Sequence, residues 1–595
     1  MKFRKIPLTL LMITLSLNVA FAKKEPKYET AHQLTPEQAA LVEKAIAREK
    51  VIIKNIQQRT PLVETYIQEL RPDDKLYQVP TGDTYMLNRV DFRKTFTDKP
   101  YANRSQKSHG FFKGSLAAFS NIGKALHLDK ETFNDNGFTQ MMFLDPTGFD
   151  QQHYVFSYVR REFLGNVRTW EFDVHPRADV KGTGRFYGRV WIEDQDGNVV
   201  RFNGTYTESA SEDNSKEYFH FDSWRMNMQP DLWLPVAIYV EESQRIEGGK
   251  TVGLRAQTHF WGYSLTLPSR ESENVSVQVE GAVDQSADSQ DVTPLQATRE
   301  WVSQAENNVL DRLVQAGLLA PPSDFDKTLE QIVVNLAVPN NLNFPDPIHC
   351  RILLTTTVEA TTVGNTILLS KGLIDTLPNE ESIASVVAME LAHIALGHHI
   401  DTRYAFNDRL LFPDESSFQR IKMNHSDIDN AAASKSAITY MQNSMYKDRI
   451  ANAGLYFAQL TDRAHALKQL NSPKLGDSML KADGTPWLAD LAKGAPKLNP
   501  DDTTQVAALP LGSWLKTDPW DDKEHMLNAK RYAPLNARDK MPFEVTAIYY
   551  KLQRYEDVAK SPANAAPEAT PATTPAPAPT AGQAANPNPA PPSNN

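Results

Sequence analysis

Between Ser385 and His399 the chain reads SVVAMELAHIALGHH, and three of these residues are spaced for metal chemistry. Glu390 and His393 stand where a His-Glu-x-x-His zinc helix carries its glutamate and second histidine, and Met389 stands in the place of the first histidine. The spacing works through helix geometry. Residues four apart share a face, so two imidazoles one turn apart reach a single Zn2+, and the glutamate beside the first activates a water against a peptide carbonyl. Methionine weakens that set, because a thioether is neutral and soft whereas Zn2+ takes imidazole, thiolate or carboxylate. A site worth roughly 10–16 kcal/mol with four ligands loses on the order of 3 kcal/mol when one is gone. Two chemistries follow: a weak zinc site with Glu390 as base, or a helix in which Glu390 and His393 are a buried polar pair and Met389 is plain core.

A helix fit to hold these residues begins after Asn379, a good N-cap, with Glu380 and Glu381 in its first turn. It continues through Ile383, Val386, Val387 and Leu391 to Gly397. His398 and His399 lie about 140° or more around a continuing helix from His393. They reach its ligand face only if the helix stops at Gly397, and otherwise cap its end. His349, Asp401 and His425 are ligand types with no spacing that selects them. Cys350 is the one cysteine, so no internal disulfide forms, and its simplest role is a small buried hydrophobe. Trp514, Trp520 and His525 are candidates for the border of a cleft.

The stretch VGNTILLSKGLIDTLPNEESIASVVAMELAHIALGHH resembles peptidase family M48, the HtpX and CAAX-prenyl-protease type of zinc metallopeptidase. The carrying features are the Gly372-Leu373 turn, the acidic pair at the helix entry and Gly397-His398 behind the helix. The resemblance covers about Asp324 to Leu460. It implies an α+β zincin core in which an edge strand lines the cleft above the active-site helix. It also implies a Zn2+ cofactor, a protein or peptide substrate, Glu390 as general base and His393 as a metal ligand. The family's third ligand is a glutamate in a Glu-x-x-Ala-Asp pattern. Asp448-Arg449-Ile450-Ala451-Asn452 keeps that spacing, so the resemblance makes Asp448 the third ligand, one methylene shorter, with Asn452 in the supporting place. Supporting groups lost around a metal cost roughly 10–100-fold in affinity or activity. The functional expectation is an exported metallopeptidase acting on envelope or extracellular proteins. The alternative is an inactive relative that binds a protein or lipoprotein by strand addition.

The rest of the chain sets these residues in a larger, α+β and multidomain, frame. Residues 1–22 have a basic start at Lys2, Arg4 and Lys5, a short apolar run and Ala20-Phe21-Ala22, the pattern of a cleaved secretory signal. That run is shorter than the ~20 residues a membrane span needs, and no later stretch approaches that length. The expected location is the periplasm or the exterior. Residues 23–83 read as a helical lead, with Thr35, Pro36 and Gln38 placed for a capping box. Residues 84–267 carry successive aromatic and β-branched strands such as VRTWEFDVHP and GRFYGRVWIEDQDGNVVRFNGTY, broken by turns such as Asp196-Gly197. They predict a curved antiparallel, half-barrel-like sheet. With Trp233-Leu234-Pro235 they loosely resemble LolA-type lipoprotein-sorting proteins, which implies a concave face for a lipid or lipoprotein. Residues 268–295 read as a linker, 296–560 as the zincin domain, and 561–595, rich in Pro and Ala, as a disordered tail. With 63 basic against 73 acidic residues the net charge is −10, which argues against nucleic acid as a general partner.

Overall fold

Thr35 opens the first helix as its spacing predicts. The Gln38 amide donates to the Thr35 hydroxyl at 3.3 Å, and the Thr35 amide donates to the Gln38 side chain at 2.8 Å. The computed structural model describes residues 34–263 and 294–499, apart from breaks of which the longest are 93–137, 178–184, 208–219 and 401–422, and adds 515–518, 523–526 and 554. The expected signal (1–22), most of the linker, the tail (561–595), Asp401, Trp514 and Trp520 lie outside the described residues. His525 falls on a short hairpin strand, Lys523–Met526.

Helix α1 (Pro36–Gln57) lies on a nine-stranded antiparallel sheet. Its strands are β1 (Leu62–Asp73), β2 (Tyr77–Arg89), β3 (Tyr154–Leu164), β4 (Val167–Pro176), β5 (Arg185–Glu193), β6 (Val199–Thr207), β7 (His220–Gln229), β8 (Leu232–Glu247) and β9 (Lys250–Trp261). They run in the order β2-β1-β9-β8-β7-β6-β5-β4-β3, curved and unclosed. The sheet starts earlier than the sequence suggests, since β1 and part of β2 occupy the stretch read as helical lead. Strand β1 is buried on both faces: Tyr66 enters one core while Val63 and Ile67 enter another. The alternation that marks a half-exposed strand is therefore missing. The apolar face carries Phe172, Phe186, Phe202, Phe221 and Ile238, and is packed by α1 with Phe138, Met141, Met142 and Phe143.

A helical and mixed-sheet unit follows, giving the α+β character the sequence predicts. Its helices are α2 (Pro294–Gln315), α3 (Asp324–Ala337), α4 (Lys371–Thr376), α5 (Glu380–Leu396), α6 (Asp427–Asn443) and α7 (Ile450–Ala464). Strands β10 (His349–Leu353), β11 (Glu359–Val363), β12 (Thr366–Ser370) and β13 (Asp477–Ser478) form a sheet in the order β10-β12-β11-β13, with β10 and β12 parallel and the other pairs antiparallel. Helix α5 sits in the middle of the core, against this sheet and against α3, α6 and α7.

The nine-stranded sheet is fastened to this unit. Leu62 and Trp261 pack with Val309 and Leu313 of α2 and with Leu368 of β12. Glu64 of β1 accepts the Thr356 amide and hydroxyl, both at 2.7 Å, and Asp83 of β2 accepts the amides of Gln469 (2.9 Å) and Leu470 (2.8 Å). A buried carboxylate stays only where donors replace its water. These contacts make the sheet and the later unit one packed body along β1, β2 and β9. Among the described residues no helix is long and apolar enough to cross a membrane.

Candidate metal centre

Both ends of α5 obey local rules. The Asn379 side chain accepts the Ser382 amide at 3.0 Å, and Gly397 closes the helix at φ 69°, a conformation that a side chain would strain. Between them every residue from Ser382 to His393 except Ile383 is buried, the signature of a helix enclosed on all sides. The short helix α4 that precedes it, where the sequence suggests a Gly-Leu turn, depends on Gly372, at which a Cβ would lie 1.7 Å from the Thr356 carbonyl oxygen. No other residue fits there.

Glu390 and His393 are each 0% exposed, and Met389 is 1% exposed and packed in the apolar core. Because the helix stops at Leu396, the His398 amide bonds back to the His393 carbonyl (3.0 Å) and the two imidazoles meet Nδ1 to Nδ1 at 3.0 Å. His399 turns away to Glu306 of α2, 2.8 Å from its carboxylate. His425, on the stretch before α6, stacks on the His393 ring with centroids 3.8 Å apart. Its Nδ1 lies 2.6 Å from Asp477 Oδ2 on β13, and its Nε2 lies 3.1 Å from the Thr362 hydroxyl of β11. Asp477 Oδ1 also accepts the His425 amide (2.9 Å) and the Asn430 side-chain amide (3.0 Å).

His393, His425 and Asp477 each offer a ligand atom within 4.8 Å of the others, and all are buried. The sequence singles out His393 for this group, names His425 without a spacing argument and misses Asp477. Asp448 is not brought to it. It lies exposed on the 3-10 turn Lys447–Arg449 before α7, while Asn452 donates to Glu381 at the start of α5. His349 is on the surface, 3.2 Å from Glu330.

The site's electrostatics are those of an unfinished charge arrangement. Burial, and then the neighbouring His425, lower the His393 imidazole from 6.5 to about 3, so it is neutral, as a metal ligand must be. Burial and the nearby Asp477 carboxylate push Glu390 well above the usual carboxylate range. Neither Glu390 oxygen has a hydrogen-bond partner, nor does His393 Nε2. Three buried polar atoms without partners in one place are rare in proteins and mark a spot completed by water or an ion. Two imidazoles and a carboxylate are a donor set of catalytic zinc, so the residues present fit that ion.

Residues 324–454 match the family model Peptidase family M48. No curated protein matches the chain. The matched segment holds Glu390, His393 and His425 and ends before Asp477. A peptidase domain implies a protein or peptide substrate. The helix the motif points to, its capped ends and strands β10, β11 and β12 behind it all lie within that match, so residues 324–454 are a domain matching peptidase family M48.

Proposed function

We propose that this domain is a metal-dependent peptide hydrolase in which His393, His425 and Asp477 would hold the ion and Glu390 is the base. The observation that carries the reading is the buried Glu390 carboxyl, unpartnered beside three converging ligand residues. A bound Zn2+ would supply Lewis acidity to the scissile carbonyl and the attacking water. Glu390 takes the proton of that water on a carboxylate oxygen and returns it to the leaving amine. His398, against Nδ1 of His393, fixes the imidazole that presents Nε2 to the centre. Met389 stays in the core and takes no part. The basic start, apolar run and Ala20-Phe21-Ala22 support export of the chain to the periplasm or exterior.

One observation favours a second reading, a peptidase-like module that binds without cutting. His425 is 3% and Asp477 2% exposed, so the whole centre is closed to solvent in this arrangement. One experiment separates the two. Dialysed protein is analysed for zinc and given denatured casein, beside Glu390→Gln. One zinc per chain with cleavage that Glu390→Gln abolishes supports the hydrolase. Zinc without cleavage supports the binding module, and no zinc with no cleavage removes the metal centre.

A further inference from the structure

Asp477 sits on a strand of two residues, too short to fix a side chain by its own ladder. Glu359, the first residue of β11, does the fixing. It is 0% exposed. Its Oε2 accepts three successive amides, from Lys474 (2.8 Å), Leu475 (2.8 Å) and Gly476 (3.0 Å). Its Oε1 accepts the hydroxyls of Thr355 and Thr357, each at 2.6 Å. Successive amides converging on one anion curl the backbone into a fixed concave turn. The residue that leaves this turn is Asp477, set opposite Ala360 in the sheet. Asp477 in turn accepts both the amide and the ring Nδ1 of His425.

We propose that Glu359 is a positioning residue of the centre: it holds the 474–476 turn so that Asp477 orients the His425 imidazole against His393. The inference rests on reading the cluster as a metal centre. Glu359 acts through Asp477 and is not itself a ligand. Glu64 is the natural comparison. It is equally buried and bonds the same threonine segment through Thr356, yet no hydrogen bond links it to residues 474–476.

The test uses the full chain with Glu359→Gln, which keeps an acceptor for the two threonines and turns an NH2 donor toward three amide donors. Two quantities are read: zinc affinity, and the ring 15N signals of His425 in metal-free protein, assigned with His425→Gln. The proposal expects zinc affinity to fall roughly 10–100-fold and the His425 signals to move, with helical circular dichroism unchanged. Glu64→Gln should leave both readouts as in wild type. If Glu359→Gln does not fold, Glu359→Asp, which keeps the charge but withdraws it by a methylene, should show the same changes in smaller degree. Unmoved His425 signals in a folded Glu359 variant overturn the proposal, as do equal changes in Glu64→Gln. If wild-type protein takes up no zinc, the hydrolase reading fails, and the His425 signals alone still decide the role of Glu359.

Discussion

Glu390→Gln should stabilise the metal-free protein, and by an amount that depends on pH. Both Glu390 oxygens are buried without partners, and burial together with Asp477 raises its pKa. In the unfolded chain the group titrates near 4.5. The folded state therefore holds the proton more tightly. Glu390's contribution to stability is full below pH 4.5 and is lost as the pH rises toward the folded pKa, at about 1.4 kcal/mol per unit. Glutamine has the same shape and no proton to lose. The two proteins should be nearly equal at pH 4.5, and between pH 4.5 and 6.5 the variant's lead should grow at up to about 1.4 kcal/mol per unit. For a domain of 150–250 residues each such unit is roughly 3–6 °C in Tm. His393 titrates in both proteins, so its effect cancels in the difference.

The assay is scanning calorimetry of chelator-treated wild type and variant at the two pH values, repeated with saturating zinc. A divalent charge beside Glu390 favours its ionised form, so zinc should shrink the variant's lead. The same gap at both pH values, or a variant less stable at pH 6.5, would show that Glu390 is not held protonated in the folded chain.

In metal-free wild type the two shifts oppose each other between about pH 4.5 and 6.5, where the loss from Glu390 offsets the gain from His393; above 6.5 Glu390 alone lowers stability and below 4.5 His393 alone does, and a calorimetric optimum at pH 8 would contradict the Glu390 shift. Met389→His places an imidazole in an apolar core, and an unpaired buried polar group should cost about 1–3 kcal/mol in metal-free protein. Zinc should recover that loss and bind more tightly than in wild type, and unchanged affinity would mean that position 389 does not face the ion. Asp448→Ala, at an exposed turn residue, should leave zinc stoichiometry unchanged, and its loss would restore Asp448 as a ligand. Intact mass of the protein from the cell exterior or periplasm should begin at Lys23, and a species retaining Met1 would refute cleavage.

What the sequence makes legible is what is local. The ends of α5 are set by Asn379 and Gly397, and the start of α1 by Thr35, Pro36 and Gln38, each within a few residues of the bond it makes. Hairpins such as β5–β6 announce themselves through alternation and a turn glycine. Strand β1 does not, since burial on both faces erases its alternation and leaves Glu64, Thr65 and Gln68 looking like surface. His425 and Asp477 reach His393 because β11 pairs with β13 and because Glu359 curls the chain between them, and no spacing along the sequence encodes either contact. The Asp448 argument presumes that residues 448–452 lie on one helix. Helix α7 starts at Ile450, so the spacing is kept and the shared face is lost.

Met389 alone does not settle whether the centre has lost its metal. A lost ligand leaves a buried base and a buried imidazole whose unmet bonds must be answered somehow. If nothing answered them, leucine at 390 would be the more stable choice, because an unsatisfied buried polar group costs about 1–3 kcal/mol, more for a charged one. The fold instead brings a second imidazole and a carboxylate to the same spot, orients them through Thr362, Asn430 and the Glu359-bound turn, and still leaves both oxygens of Glu390 and Nε2 of His393 without partners. A cluster closing in on itself as an inert polar core would have spent those atoms on one another. His393 and His425 lie close enough to bond and stack instead, with the ring nitrogen of one left over. That remainder, two carboxyl oxygens and one imidazole nitrogen, is the coordination a cation with bound water would complete.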